Sequence, residues 1–156
     1  GDWITLTGAD GVVEEIGLRS TRIRTFAKTL VSIPNSVLAN ATVENHSLMP
    51  KRRIKMTVGV TYDASPDQMR SLVADVEAML RNHPGIDQEF MLVKFTEFNA
   101  SSLDIFVYCF TKTTDWTQHL QVKQDVNLRV MELVEELGMG IAFPTRTVHL
   151  VKEAEG

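Results

Sequence analysis

The apolar residues of this chain keep two different rhythms. Through the first part they come in short bursts broken by turn residues, the pattern of short strands. Trp3–Leu6 runs into Gly8-Ala9-Asp10-Gly11, a turn signature whose two glycines can take positive φ. Val12–Phe26 follows, and its Thr21-Arg22-Ile23-Arg24-Thr25-Phe26 alternates polar and apolar as a half-buried strand does. Thr29–Ile33 is a further strand, stopped by Pro34, which has no N–H to give a ladder. About five short strands packed so closely predict a small barrel or a strongly bent sheet.

From Lys51 the rhythm lengthens. Ile54, Met56, Val58 and Val60 alternate with Lys55, Thr57, Gly59 and Thr61, a strand with one apolar face. Ser65 is then an N-cap, Pro66 suits the first helical position, and Gln68 completes a capping box. Met69, Leu72, Val73, Val76, Met79 and Leu80 make one helical stripe, which Pro84-Gly85 ends. Phe90–Phe98 and Leu103–Lys112 are strands predicted to pair as a hairpin across Asn99–Ser102. Asp115 caps a long helix with Val126, Val130, Leu133, Val134 and Leu137 on its apolar face, and Gly138 stops it. Arg146–Val151 is one more strand.

The order from Arg52 is β-α-β-β-α-β, the split βαβ pattern of ferredoxin-like folds. The expected organisation is therefore α+β in two domains. A small all-β domain spans residues 1–50, an α+β sandwich 51–145, and a C-terminal strand or tail 146–156.

Composition changes this picture little: 44% apolar and 23% charged residues predict an ordinary packed core. Cys109 is the single cysteine, so the chain can form no internal disulfide, which fits a reducing compartment. It lies in the apolar run LDIFVYCF and reads as a small buried hydrophobe. No stretch reaches the ~18 consecutive apolar residues of a membrane span. The abrupt start at Gly1-Asp2-Trp3-Ile4 leads us to expect a piece of a longer protein. Charge is uneven: Gly1–Lys55 carries 8 Lys/Arg against 5 Asp/Glu, while Met56–Gly156 carries 8 against 15.

Little of the chain's chemistry points to catalysis. His46, His83, His119 and His149 lack metal-site spacing, and no P-loop or nucleophile elbow is present. Asp87, Glu89 and Glu97 read as the solvent face of a strand and its approach. The loop between the first strand and first helix of the α+β unit, TYDASPDQ, is acidic at Asp63 and Asp67 and would repel phosphate. No enzyme activity, cofactor or metal is expected. Arg19, Arg22, Arg24, Lys28, Lys51, Arg52, Arg53 and Lys55 raise an RNA reading. However, Phe95, Phe98, Phe106, Tyr108 and Phe110 lack the RNA-recognition glycine pattern, and most are expected in the core. Two Asn-x-Ser/Thr triplets, at Asn40 and Asn45, read as incidental turn asparagines.

Three segments resemble the small-conductance mechanosensitive channel (MscS) family. The most specific is Gly11–Ser47, with Gly11, Ile16, Thr21, Ile23-Arg24-Thr25, Ile33-Pro34-Asn35, Asn45 and Ser47 matching the family pattern. The others are RRIKMTVGVTYDASPDQ (Arg52–Gln68) and GIAFPTRTVHL (Gly140–Leu150). FAKTL (Phe26–Leu30) departs from the pattern, since Ala27-Lys28 replaces the usual Asp-Gly or Asn-Gly turn and neither residue takes positive φ cheaply.

The resemblance implies an Sm-like β-barrel followed by a ferredoxin-like domain and a terminal strand. It implies a membrane channel subunit whose membrane helices precede Gly1, with this region on the cytoplasmic side of a bacterial or archaeal inner membrane. Self-assembly as a homo-heptamer would form a vestibule with side openings, and the bilayer would be met through the upstream helices. In the family, the tail strand pairs with those of neighbouring subunits. The resemblance implies a channel that would open on tension and release small solutes in hypo-osmotic shock. Lys51, Arg52 and Arg53 would then set the potential near the openings. The alternative is a soluble Sm-like plus ferredoxin-like module that binds nucleic acid or a ligand; on the channel reading no nucleic-acid partner is expected.

Overall fold

Alternation sets the inner face of the first sheet, where Ile4, Leu6, Ala9, Ile23 and Ile33 are buried and Val13, Val31 and Leu38 close over them. The computed structural model describes residues 1–6, 8–146 and 148–151. The chain divides into two compact units, Gly1–Pro50 and the part from Lys51 onward. Together they hold two sheets and three α-helices among the described residues.

The first unit contains β1 (Trp3–Leu6), β2 (Ala9–Ile16), β3 (Ser20–Thr25), β4 (Leu30–Pro34) and β5 (Glu44–Asn45). They form one antiparallel sheet in the order β4-β3-β2-β1-β5. Only Gly8 of the two predicted turn glycines takes positive φ, at 92°. Gly11 instead lies inside β2, opposite Thr25. A short helix the sequence pattern does not announce, α1 (Asn35–Asn40), follows β4 directly.

The second unit runs β6 (Arg52–Val60), α2 (Pro66–Asn82), β7 (Leu92–Phe98), β8 (Leu103–Thr111) and α3 (Trp116–Glu136). Its antiparallel sheet is ordered β6-β8-β7. Both helices start as their caps dictate. The Gln68 backbone N–H donates to Ser65 Oγ at 3.2 Å while the Ser65 N–H donates to Gln68 Oε1 at 2.9 Å. Asp115 accepts from the Gln118 N–H at 2.9 Å. Gly138 takes φ 69° just past α3. Met69, Leu72, Val76 and Leu80 of α2 and Val126, Val130, Leu133 and Val134 of α3 are buried in the same core as Ile54, Val58, Val60, Ile105 and Val107. Cys109 is buried in this core, and burial pushes its thiol up to about 11, so it stays an unreactive thiol.

Two sequence expectations fail here. Arg146 and Val148–Val151 lie in no strand, and Thr147 of that predicted strand lies outside the described residues. What pairs with the free edge of β6 comes earlier. Ile141 bridges Val60, the Thr61 N–H reaches Gly140 O at 3.0 Å, and the Ala142 N–H reaches Gly59 O at 2.9 Å. Pro144 cannot continue that ladder. The second failure is the aromatic set. Phe95 and Phe98 are 37% and 77% exposed, and Phe106, Tyr108 and Phe110 are only partly buried, because β8 alternates and these last three fall on the face away from the helices. Among the described residues, no helix is long and apolar enough to cross a membrane.

Candidate functional site

The motif residues of the first unit gather at its hairpins. Asn35 makes three bonds to the β2–β3 turn region. Its backbone N–H reaches Arg19 O at 2.8 Å, its Nδ2 donates to Gly17 O at 2.9 Å, and its Oδ1 accepts from the buried Thr21 hydroxyl at 2.8 Å. The side chain must donate and accept at once, which an amide does and a carboxylate does not. Pro34 ends β4 and immediately precedes α1, and Ile33 points into the core. The Ile-Pro-Asn run therefore supplies a core anchor, a strand stop and a brace for the neighbouring hairpin.

Arg24 lies on β3 opposite Val12 of β2 and reaches two partners. Its guanidinium donates from Nε to Glu14 Oε1 at 2.8 Å and from Nη1 to Lys28 O at 3.1 Å. The Arg24 hydrogen bond holds the Glu14 carboxyl below its usual range. Lys28 sits at φ 68°, the left-handed region, and is the non-glycine residue the described backbone places there. The Ala27-Lys28 departure from the family turn therefore changes the residues and keeps a positive φ.

Asn45 and Ser47 tie β5 back to the start of the chain. Asn45 Nδ2 donates to Asp2 Oδ2 at 3.1 Å, Asn45 Oδ1 accepts the Ser47 N–H at 3.0 Å, and Ser47 Oγ accepts the Trp3 N–H at 2.9 Å. Both sequon asparagines are thus hydrogen-bonded, Asn40 through Nδ2 to Ser36 O at 3.0 Å. Between Asn45 and Ser47, His46 stacks on the Trp3 ring at 4.3 Å. The Thr5 hydroxyl donates to Asp10 Oδ1 at 2.9 Å, so the 2.9 Å contact between Thr5 Oγ1 and His46 Nε2 requires the imidazole to donate. This relay was not legible from the sequence, where only the short Trp3 and His46 segments carry it.

Lys51, Arg52 and Arg53 each have their own partners. Lys51 Nζ lies 3.1 Å from Asp87 and pairs also with Glu89, whose carboxylates hold its ammonium above the usual lysine range. Asp87 is held below the carboxylate range, first by the Glu89 backbone N–H and then by Lys51. Arg52 Nε donates to Thr114 O at 2.8 Å. Arg53 faces the other side of the sheet, its guanidinium 6.0 Å from the Tyr108 ring centre. One further group was missed: His119 is buried, with Nδ1 2.9 Å from the Thr111 hydroxyl. Its pKa is lowered by burial first, then by Arg52 and Lys123.

This organisation matches known proteins along nearly its whole length. Residues 1–48 match the family described as mechanosensitive ion channel, beta-domain, and residues 54–141 match mechanosensitive ion channel MscS, C-terminal. The chain is 42% identical over 153 residues to the low conductance mechanosensitive channel YnaI of Escherichia coli (strain K12), covering 96% of this chain and 44% of the relative. It is 38% identical over 153 residues to the small-conductance mechanosensitive channel MscMJ of Methanocaldococcus jannaschii, covering 98% of this chain and 43% of that protein. The chain thus spans less than half the length of these relatives. Its fold matches the crystal structure of Helicobacter pylori MscS in the closed state with a TM-score of 0.82 at 23% identity, over 98% of this chain and 59% of that one. The chain belongs to the MscS family of mechanosensitive ion channels.

Proposed function

We propose that this chain is the cytoplasmic vestibule portion of a tension-gated channel subunit, the membrane helices being supplied by sequence upstream of Gly1. The observation that carries the reading is the pair of family matches lying one after the other, at residues 1–48 and 54–141. On this reading residues 1–50 are an Sm-like β-domain, 51–145 a ferredoxin-like domain and 146–156 a tail. The sheet order β6-β8-β7, with Ile141 bridging the outer edge of β6, supports the ferredoxin-like assignment.

The assembled protein is a homo-heptamer in the inner membrane of a bacterium or archaeon. It opens on membrane tension and passes small solutes during hypo-osmotic shock. Val148, Leu150 and Val151 are exposed on the single chain, which suits pairing of the tail with the tails of neighbouring copies. The motif residues Gly11, Arg24, Ile33, Pro34, Asn35, Asn45 and Ser47 act by fixing the hairpins of the β-domain. Lys51, Arg52 and Arg53 together bias which ions enter near the openings, Lys51 doing so beside the carboxylates of Asp87 and Glu89.

The test is survival of hypo-osmotic shock by bacterial cells stripped of their own mechanosensitive channels. Expression of the full-length protein is expected to restore survival. Full expression in the membrane without rescue would overturn the reading.

A further inference from the structure

Among the described residues, α2 and α3 pack on one face of the β6-β8-β7 sheet. The other face carries Phe106, Tyr108 and Phe110 on β8. Arg53 and Lys55 stand opposite on β6, Lys94 on β7, and all three cations are exposed. The aromatic rings touch one another: Tyr108 stacks on Phe106 at 6.0 Å and meets Phe110 edge-on at 5.4 Å. Phe90 adds a further edge contact to Tyr108 at 6.0 Å. Such a ladder is large and apolar, with cations along its rim, and among the described residues no helix of the second unit packs on it.

The far side of this unit has the complementary character. Leu120, Leu128 and Met131 of α3 are 45%, 50% and 58% exposed, and with Gln124 they follow the three- and four-residue spacing of one helical stripe outside the core. Around them α3 exposes Asp125, Glu132, Glu135 and Glu136. Arg129 is committed to two of these, at 2.9 Å to Glu132 and 3.2 Å to Glu136. One outer layer is thus aromatic and basic, the other aliphatic and acidic, and the two face opposite ways because helices and sheet form two layers.

We propose that the aromatic sheet face is occupied by a second copy of this chain, packed head to tail. The Leu120–Leu128–Met131 ridge of one copy lies on Phe106, Tyr108 and Phe110 of the next, and Glu135 meets the Arg53–Lys55–Lys94 rim. A face-to-face pairing of two sheets would set these cations against their own copies, which disfavours it. A head-to-tail contact between different patches repeats from copy to copy and can close a ring. The inference rests on the oligomeric reading above and adds which surfaces meet.

The test uses the full-length protein carrying Tyr108→Cys and Leu128→Cys, sized by light scattering and then mildly oxidised. The expected result is a ladder of covalent multimers on a denaturing gel from the double variant and monomer from each single variant. These single variants also control for Cys109. An oligomer of normal size without the ladder would overturn the inference and leave the proposed function standing. Dimers from Tyr108→Cys alone would overturn it too, since the face would then meet itself. A monomer by scattering would overturn both readings. As a second measurement, Lys55→Glu is expected to deplete the oligomer peak and Lys55→Glu with Glu135→Lys to restore it; an unchanged peak in both would count against the contact.

Discussion

A β-carbon built on Gly11 would lie 2.2 Å from the Arg24 carbonyl oxygen and 2.8 Å from Thr25 Cα, so strands β2 and β3 approach here closer than any side chain allows. The need for glycine is one of space, since Gly11 is in an extended strand. Gly11→Ala is expected to force the strands apart and cost about 1–3 kcal/mol. Thermal unfolding followed by circular dichroism checks this; an unchanged midpoint would mean the ladder is looser than described.

Asn35 is braced through a donor and an acceptor on one side chain. Asn35→Asp keeps the acceptor for Thr21 and strips the donor from Gly17 O, setting a carboxylate against a carbonyl. The expected loss is about 1–3 kcal/mol, read as a lower denaturant midpoint. Asn35→Ala should cost at least as much, because the buried Thr21 hydroxyl then loses its partner.

Lys28 holds a positive φ while its carbonyl accepts from Arg24. Lys28→Gly is expected to stabilise the first unit by about 0.5–1 kcal/mol, the relief of left-handed strain less the extra freedom glycine has when unfolded. A rise in the thermal midpoint supports this. A fall would show that the lysine side chain contributes more than the turn costs.

His119 gives a pH dependence with a definite sign. Its folded pKa lies below the ordinary value of about 6.5 because burial, Arg52 and Lys123 disfavour the imidazolium. The unfolded chain therefore takes up the proton first. Stability is undiminished above the unfolded value and falls as pH drops from there towards the folded one. His119→Asn, which can keep a partner for the Thr111 hydroxyl, is expected to flatten the slope of midpoint against pH between about 7 and 5. An equal slope in both proteins would assign the effect elsewhere.

How much of this was legible in the sequence follows the range of the interactions. Ser65, Gln68, Asp115 and Gly138 announce their helix ends because a cap bonds within a few residues of itself. The alternation of β6 announces its buried face for the same reason. The aromatic residues of β8 misled, because alternation says that a strand has two faces without saying which one the helices cover. Arg146 and Val148–Val151 find no partner strand within the single chain, because Ile141 already occupies the edge of β6 near Val60. The roles of Asn35 and Ser47 depend on Gly17, Arg19 and Trp3, residues distant along the chain. The family pattern marks those positions, and only the fold supplies the reasons.

The central claim, that this chain belongs to a tension-gated pore, is tested most directly by patch-clamp recording from membranes containing the full-length protein and no other mechanosensitive channel. Stepwise suction is expected to evoke discrete single-channel openings whose probability rises steeply with tension. Patches that contain the protein yet stay silent up to the tension that ruptures the membrane would contradict the account.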